Sequence, residues 1–375
     1  MNSVVLDCGT GIIKAGFSGD DAPTSMFPTV VGHPKHSHTP MVAAETSREY
    51  FVGSEAKWKR GMLDLRCPIQ YGIVTDWDDM EKIWDHVFNK ELKVSPAEHP
   101  VLLTEPPLNP KQNKEITAQI MFENFSCPGI HFGMQSVLAL YSSGGTTGMV
   151  VDSGEGVTHL VPIYQGFSIP QAVTRLEVAG GELTDYLTKL LNENTGYEFV
   201  SSSERDIVRD IKEKLCFVAR DPAGELRDNT VRNTLKKKYT LPDGQVLSVN
   251  NERFQCAEAL FDPFLLGRQT PGLHTACAES IMKCGIDLRS ELYRNITLVG
   301  GTTKLPGLDL RLEKEVNSLS PKLARVKVIA PPNREHSVWI GGSVLASLST
   351  FGATSAWISK QMYEENGPEI VHSLK

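Results

Sequence analysis

No stretch of this chain approaches the run of about 20 apolar residues that a membrane-spanning helix needs, so no membrane span is expected. Bulk positive charge is missing too. Acidic residues outnumber basic ones, 45 to 38, for a net charge of −7. That argues against a nucleic-acid binder working through bulk charge. The opening "MNSVVLDCGT" has neither a basic leader nor a long apolar core and does not read as a secretory signal. The seven cysteines, at 8, 67, 127, 216, 256, 277 and 284, are odd in number and contain no C-x-x-C. Free thiols in a reducing compartment are the simple reading. These absences together favour cytosol or nucleus. No low-complexity linker divides the chain.

What is present is ordinary globular composition, 40 % hydrophobic and 22 % charged, over 375 residues. That length exceeds the usual single core, so two domains or one bilobal body is expected. An internal repeat organises the chain. "VVLDCGTGIIKAGFSGD" begins at residue 4 and "MVVDSGEGVTHLVPIYQG" at residue 149. Both read strand, tight glycine turn, strand. Two further Gly-Gly pairs follow apolar runs, in "ITLVGGTTKLPG" (296–307) and "VWIGGSVLASL" (338–348). The second reads as a turn running directly into a helix. Helices are clearest in two segments. In "NPKQNKEITAQIMFENF", Asn109 is a candidate N-cap with Pro110 at the first helical position. "SSSERDIVRDIKEKLCFVA" carries a capping box, Ser201 with Glu204, and an apolar stripe of Ile207, Ile211, Leu215 and Val218. The expected class is α/β, two lobes that each start from a similar hairpin. Ligands of such folds tend to sit where the halves meet.

The repeat has a chemistry. Glycine lets the backbone approach a ligand closely, and consecutive N–H groups in such a turn form an anion-binding nest. Two such hairpins could clamp a polyphosphate. Asp7 and Asp152, at the strand ends, cannot bind phosphate directly but could hold a hydrated Mg²⁺. Lys14 could reach the phosphates as a point charge. Each feature alone has a plainer reading. One Asp-x-Gly-x-Gly is a common turn, Lys14 is a solvated lysine, His159 a structural histidine and Gln135 a helix-surface amide. The pairing of two copies in matching strand contexts favours phosphate.

At these residues the sequence resembles the actin family. The resemblance rests on long strings, among them "KAGFSGDDAP", "DWDDMEKIWDHVF", "HPVLLTEPPLNP", "DIKEKLCFVA", "VGGTTKLPG", "SVWIGGSVLASLSTF" and "WISKQMYEENGPEIVH", and it covers nearly the whole chain. It implies a bilobal ATPase fold, two ribonuclease-H-like α/β domains around a nucleotide cleft. The implied subdomains are 1–28 with 68–142 and 338–375; 29–67; 143–179 with 269–337; and 180–268. ATP or ADP with Mg²⁺ (or Ca²⁺) is the implied ligand. By matching motif, Thr10 and Lys14 meet the phosphates, with the backbones of Gly9, Gly11, Gly154 and Gly156 and the neighbouring Glu155. Asp7 and Asp152 order the cation's water shell. Gln135 and His159 position the attacking water and relay its proton. Lys212, Glu213, Gly300, Gly301 and Thr302 line the nucleoside. Catalysis would be positioning and charge stabilisation.

The resemblance also implies head-to-tail filaments. Segment 36–51, with an apolar tip at Met41 and Val42, matches the loop that inserts into the next subunit. Segment 260–272, with Phe264, Leu265 and Leu266, matches the plug between strands. Tyr141, Thr146, Val344, Leu348 and Thr350 match the groove that receives actin-binding proteins. Cytoplasm and cytoskeleton, with room for a nuclear pool, are the implied location. Some positions depart from the pattern. Glu155 replaces aspartate, moving a carboxylate by about 1.5 Å; misplacement of about 1 Å can cost about 10²-fold in rate. Glu335 replaces a lysine near the adenine, Tyr71 a histidine of the γ-phosphate sensor loop, and Gly145 an arginine. Two functions follow: a polymerising, slowly hydrolysing ATPase, or a nucleotide-binding structural subunit of a specialised assembly that hydrolyses weakly or not at all.

Overall fold

The computed structural model describes residues 2–35, 48–232, 235–352 and 356–373. The chain divides into two compact units, Met1–Gly145 with His336–Lys375, and Thr146–Glu335. Both are α/β.

The first unit is built on a six-stranded sheet. Its order in space is Ile358–Ser359, Gly129–Met134, Val101–Glu105, Val4–Cys8, Ile12–Phe17 and Ser25–Pro28. Val4–Cys8 pairs antiparallel with Ile12–Phe17 and parallel with Val101–Glu105, which pairs parallel with Gly129–Met134. A central strand covered on both faces needs a continuous apolar run rather than alternation. Val4, Val5 and Leu6 supply it and are fully buried. Met80, Ile83, Val87, Phe88, Met121 and Phe122 pack on the same core. A smaller three-stranded sheet, Phe51–Val52, Val31–Pro34 and Leu63–Arg66, follows the hairpin.

The second unit repeats the plan. Gly148–Ser153 pairs antiparallel with Thr158–Tyr164 and parallel with Ile296–Val299. Val328–Ile329 extends the sheet beyond Ile296–Val299, and Thr174–Leu176 joins Thr158–Tyr164. The repeat seen in sequence is therefore a repeat of topology: a hairpin whose first strand also pairs with a later parallel strand. Met149, Val151, Leu183, Leu187, Ile211 and Leu298 are among its fully buried core residues.

Several local expectations meet the structure. Ser201 caps the Ser202–Leu215 helix: its Oγ accepts from the Glu204 N–H at 3.2 Å, and Glu204 accepts from the Ser201 N–H at 2.8 Å. The helix ends at Leu215, so Val218 lies beyond it, although it is buried in the same core. Asn109 is not the N-cap of its helix. The helix runs Lys111–Gln119 with Pro110 at the cap, one residue later than expected. Proline's fixed φ suits either position, which is why the sequence left the boundary loose. Gly341 and Gly342 are not in a turn but inside the helix Ser337–Ser347. A Cβ on Gly341 would overlap the Leu138 carbonyl group, so these glycines serve the close crossing of that helix over Gln135–Tyr141. Met41 and Val42 lie outside the described residues.

Candidate functional site

In the first unit, Gly9–Gly11 connects the hairpin strands. The Gly9 N–H donates to Ile12 O at 3.2 Å, while the Thr29 hydroxyl donates to Gly9 O at 2.7 Å. Asp7 stands directly opposite Lys14 in the strand register. It is 3 % exposed. Its Oδ2 receives the Lys14 ammonium at 2.8 Å, and its Oδ1 accepts from the Thr104 hydroxyl at 2.8 Å. Gln135 begins the helix that follows Gly129–Met134, and its Nε2 donates to Thr104 Oγ1 at 3.4 Å. Asp7, Thr104 and Gln135 thus occupy the carboxyl ends of three adjacent parallel strands, where open α/β sheets bind ligands. Thr104 joins the other two. Sequence reasoning missed it, since a lone threonine at the end of "HPVLLTE" carries no pattern. The Thr10 hydroxyl accepts from the Gly72 N–H at 2.9 Å, which ties the turn to the hairpin of Ile69–Gln70 and Ile73–Val74. Tyr71, in that hairpin, has φ +49°, a strained value for a non-glycine residue.

The second unit copies the arrangement. The Gly154 N–H donates to Val157 O at 3.2 Å, and the Thr302 hydroxyl donates to Gly154 O at 2.7 Å. Thr302 therefore does for Gly154 what Thr29 does for Gly9. Asp152 stands opposite His159 in the register, as Asp7 stands opposite Lys14. Gly300 has φ +88°, and a Cβ there would overlap the Ser153 carbonyl and lie 2.8 Å from Asp152 Oδ1. Only glycine allows the chain to pass so close to that carboxylate. His159 is 3 % exposed. Burial, with Arg175 adding to it, pushes its imidazole down to about 4, so the ring is neutral at pH 7. Its Nε2 has no hydrogen-bond partner among the described residues.

The nucleoside candidates divide. Thr302 and Gly301 lie beside the second turn, in the 3-10 turn Gly301–Lys304. Lys212 is buried, its ammonium donating to Gly180 O at 2.5 Å and to Thr184 Oγ1 at 2.8 Å. It pins the first turn of the Gly180–Thr195 helix. Glu213 is exposed. Glu335 forms an ion pair of 2.5 Å with Lys304.

Each turn by itself suits a phosphate ligand with a hydrated cation: glycine backbone N–H groups with a carboxylate beside them and, at the second turn, a buried ring nitrogen with no partner among the described residues. Among the described residues, no group of three or more His, Cys, Asp or Glu side chains could hold a metal ion directly. A cation here would keep much of its water, as Mg²⁺ does.

Surface candidates are also placed. Phe264 is 71 % and Leu265 40 % exposed, in the 3-10 turn Pro263–Leu266. Val344 and Leu348 are exposed large apolar residues at the end of Ser337–Ser347. Thr146 and Thr350 are exposed as well, while Tyr141 is half-buried and its phenol pushed up by burial. No helix among the described residues is long and apolar enough to cross a membrane.

The Actin family model matches residues 1–374. With both units built on the repeated hairpin, the fold agrees with that match over its whole length. The chain belongs to the actin family.

Proposed function

We propose that this chain binds ATP with Mg²⁺ or Ca²⁺, hydrolyses it slowly, and assembles head to tail into filaments. The observation that carries the reading is the repeated hairpin. In both units an Asp-x-Gly-x-Gly turn stands at the carboxyl end of a parallel strand. In both, its first glycine donates its N–H to the residue three positions on and accepts a threonine hydroxyl at its carbonyl. The turn backbones, with Thr10 and Lys14, receive phosphate oxygens. Asp7 and Asp152 hold the cation through water, and the cation supplies charge neutralisation on the phosphates. The Gln135 amide, steadied by Thr104, orients the attacking water. His159 offers a neutral ring nitrogen for its proton. Phe264 and Leu265 are the apolar groups available for subunit contact, with Met41 and Val42 assigned to the same role from the sequence. The family's four subdomains, its groove for actin-binding proteins and its cytoplasmic, cytoskeletal location are carried over on the resemblance.

Melting with and without ligand tests the binding. A ligand held only by the native state stabilises by about 2.7 kcal/mol at 100 times Kd. ATP with Mg²⁺ should raise Tm by several degrees and a chelator should lower it. No change with either would remove the reading. Phosphate release, measured with sedimentation, separates the second function. Glu155, a carboxylate longer than the family's, favours a weakly hydrolysing structural subunit. That subunit would bind ATP, release little or no phosphate and stay in the supernatant.

The roles separate by mutation. Asp152→Ala should weaken cation affinity about 10- to 100-fold, the usual loss when an outer-shell group of a metal is removed. Gln135→Ala should leave nucleotide affinity within about twofold and slow phosphate release about 10²-fold, the scale of losing one positioning group. Equal loss of nucleotide in both variants would show that these roles are misassigned.

A further inference from the structure

Arg205 has no part in the site described so far. It stands on Ser202–Leu215, and its guanidinium reaches three oxygens. Nε donates to Asp185 Oδ1 at 2.5 Å, one terminal nitrogen donates to Gly181 O at 3.2 Å, and the other lies 4.0 Å from Glu155 Oε1. Asp185 and Gly181 belong to the Gly180–Thr195 helix, whose first residues are bound to the second glycine turn. The Gly180 N–H donates to Gly154 O at 2.9 Å, and the Gly181 N–H to Glu155 O at 2.7 Å.

The Glu155 carboxylate lies over this helix start, in space that exists because residues 180 and 181 are glycine. A Cβ on Gly180 would come 2.9 Å from Glu155 Oε2 and 2.6 Å from Thr302 Oγ1. One on Gly181 would come 3.7 Å from Glu155 Oε1 and 3.6 Å from the Arg205 guanidinium. Glycine pair and arginine together form a receptor for one carboxylate. That carboxylate needs one. It sits in the middle of a turn proposed to bind phosphate, and like charges a few ångströms apart repel even in water. A glutamate folded back onto its own turn would also compete for the N–H groups that make the nest.

We infer that Arg205 is a positioning residue for the second glycine turn: it draws the Glu155 carboxylate over Gly180–Gly181 and keeps it off the face that takes phosphate. The inference rests on the nucleotide reading above and deepens it. Arginine suits the task because its planar fork serves Glu155, Gly181 and Asp185 at once, which a lysine cannot do.

The test is a double-mutant cycle read by nucleotide release. Protein loaded with a fluorescent etheno derivative of ATP and Mg²⁺ is chased with excess ATP, and the release rate is recorded for wild type, Arg205→Ala, Glu155→Gln and the double variant. Arg205→Ala should speed release about two- to fivefold, the range open to a partly exposed ion pair. In the Glu155→Gln background the same substitution should change release by less than about 1.5-fold, since no charge remains to be held. A purely structural role through Asp185 and Gly181 would give equal effects in both backgrounds, and that result overturns the inference, as would an Arg205→Ala rate equal to wild type. If Arg205→Ala does not fold, Arg205→Lys replaces it: release about twofold faster, with the increase again abolished by Glu155→Gln. A wild type that never takes up the analogue would instead sink the nucleotide reading, a failure distinct from additive effects in a protein that does.

Discussion

Gly341→Ala should lower the melting temperature by several degrees, while Gly342→Ala, one residue on, should do far less. Both glycines lie inside the Ser337–Ser347 helix. In an exposed helix each change to alanine would stabilise by roughly 0.8–1 kcal/mol through propensity alone. The neighbours reverse that at residue 341. A new Cβ would overlap the Leu138 carbonyl and backbone of the Gln135–Tyr141 helix, and backbone cannot rotate aside. Residue 342 instead meets side-chain methyls, Val5 Cγ1 at 3.0 Å and Leu102 Cδ2 at 3.2 Å, which can give by a few tenths of an ångström. Overpacking of a tight core costs about 1–3 kcal/mol and more where the backbone must move. We expect about 3 kcal/mol at Gly341 and under 1 kcal/mol at Gly342 by the same reasoning. The displaced helix begins with Gln135, so phosphate release should fall as well. Thermal melts of both variants check this. A Gly341→Ala protein as stable as Gly342→Ala would show that the two helices do not cross as closely as described.

That glycine pair marks where the sequence stops being legible. In "ITLVGGTT" a buried strand ends at the pair, and Gly300 takes the positive φ with which the chain passes Asp152. In "VWIGGSVL" the same letters sit in mid-helix, and only tertiary neighbours explain them: the Gln135–Tyr141 helix for Gly341, the Val5 and Leu102 side chains of the sheet for Gly342. The hairpins were readable because a β-branched apolar run, the acid and the glycines all fall within some ten residues. So was the Ser201–Glu204 capping box, whose bonds are local. Lys212 shows the opposite case. The resemblance sets it beside the nucleoside, and the structure adds what the sequence does not show: its ammonium is buried on a carbonyl and a hydroxyl of the Gly180–Thr195 helix. No local pattern encodes a partner more than 25 residues away. Thr29, Thr104 and Arg205 escaped notice for the same reason: each is a single residue whose role comes from what the fold brings beside it.

His159 gives the largest expected dependence on pH. Its imidazole is held down to about 4, first by burial and then by the Arg175 charge, against an ordinary value of 6.5. The sign follows from which state binds the proton. Above pH 6.5 neither folded nor unfolded chain protonates this ring, and it contributes no slope. Between about 6.5 and 4 the unfolded chain takes up a proton that the folded one refuses, so stability falls as pH falls. Each unit of pKa difference is worth 1.36 kcal/mol, so the loss should approach roughly 3 kcal/mol by pH 4 and level off below it. The ring is almost fully buried, so solvent screening takes little from that figure. His159→Gln keeps a polar group of similar reach but cannot titrate. Urea unfolding of both proteins across pH 7 to 4 isolates the contribution: wild type should lose about 3 kcal/mol more than His159→Gln over this range. Parallel curves would mean that the folded chain accepts the proton, and with it the argument for a neutral ring nitrogen held ready beside the second phosphate turn would fall.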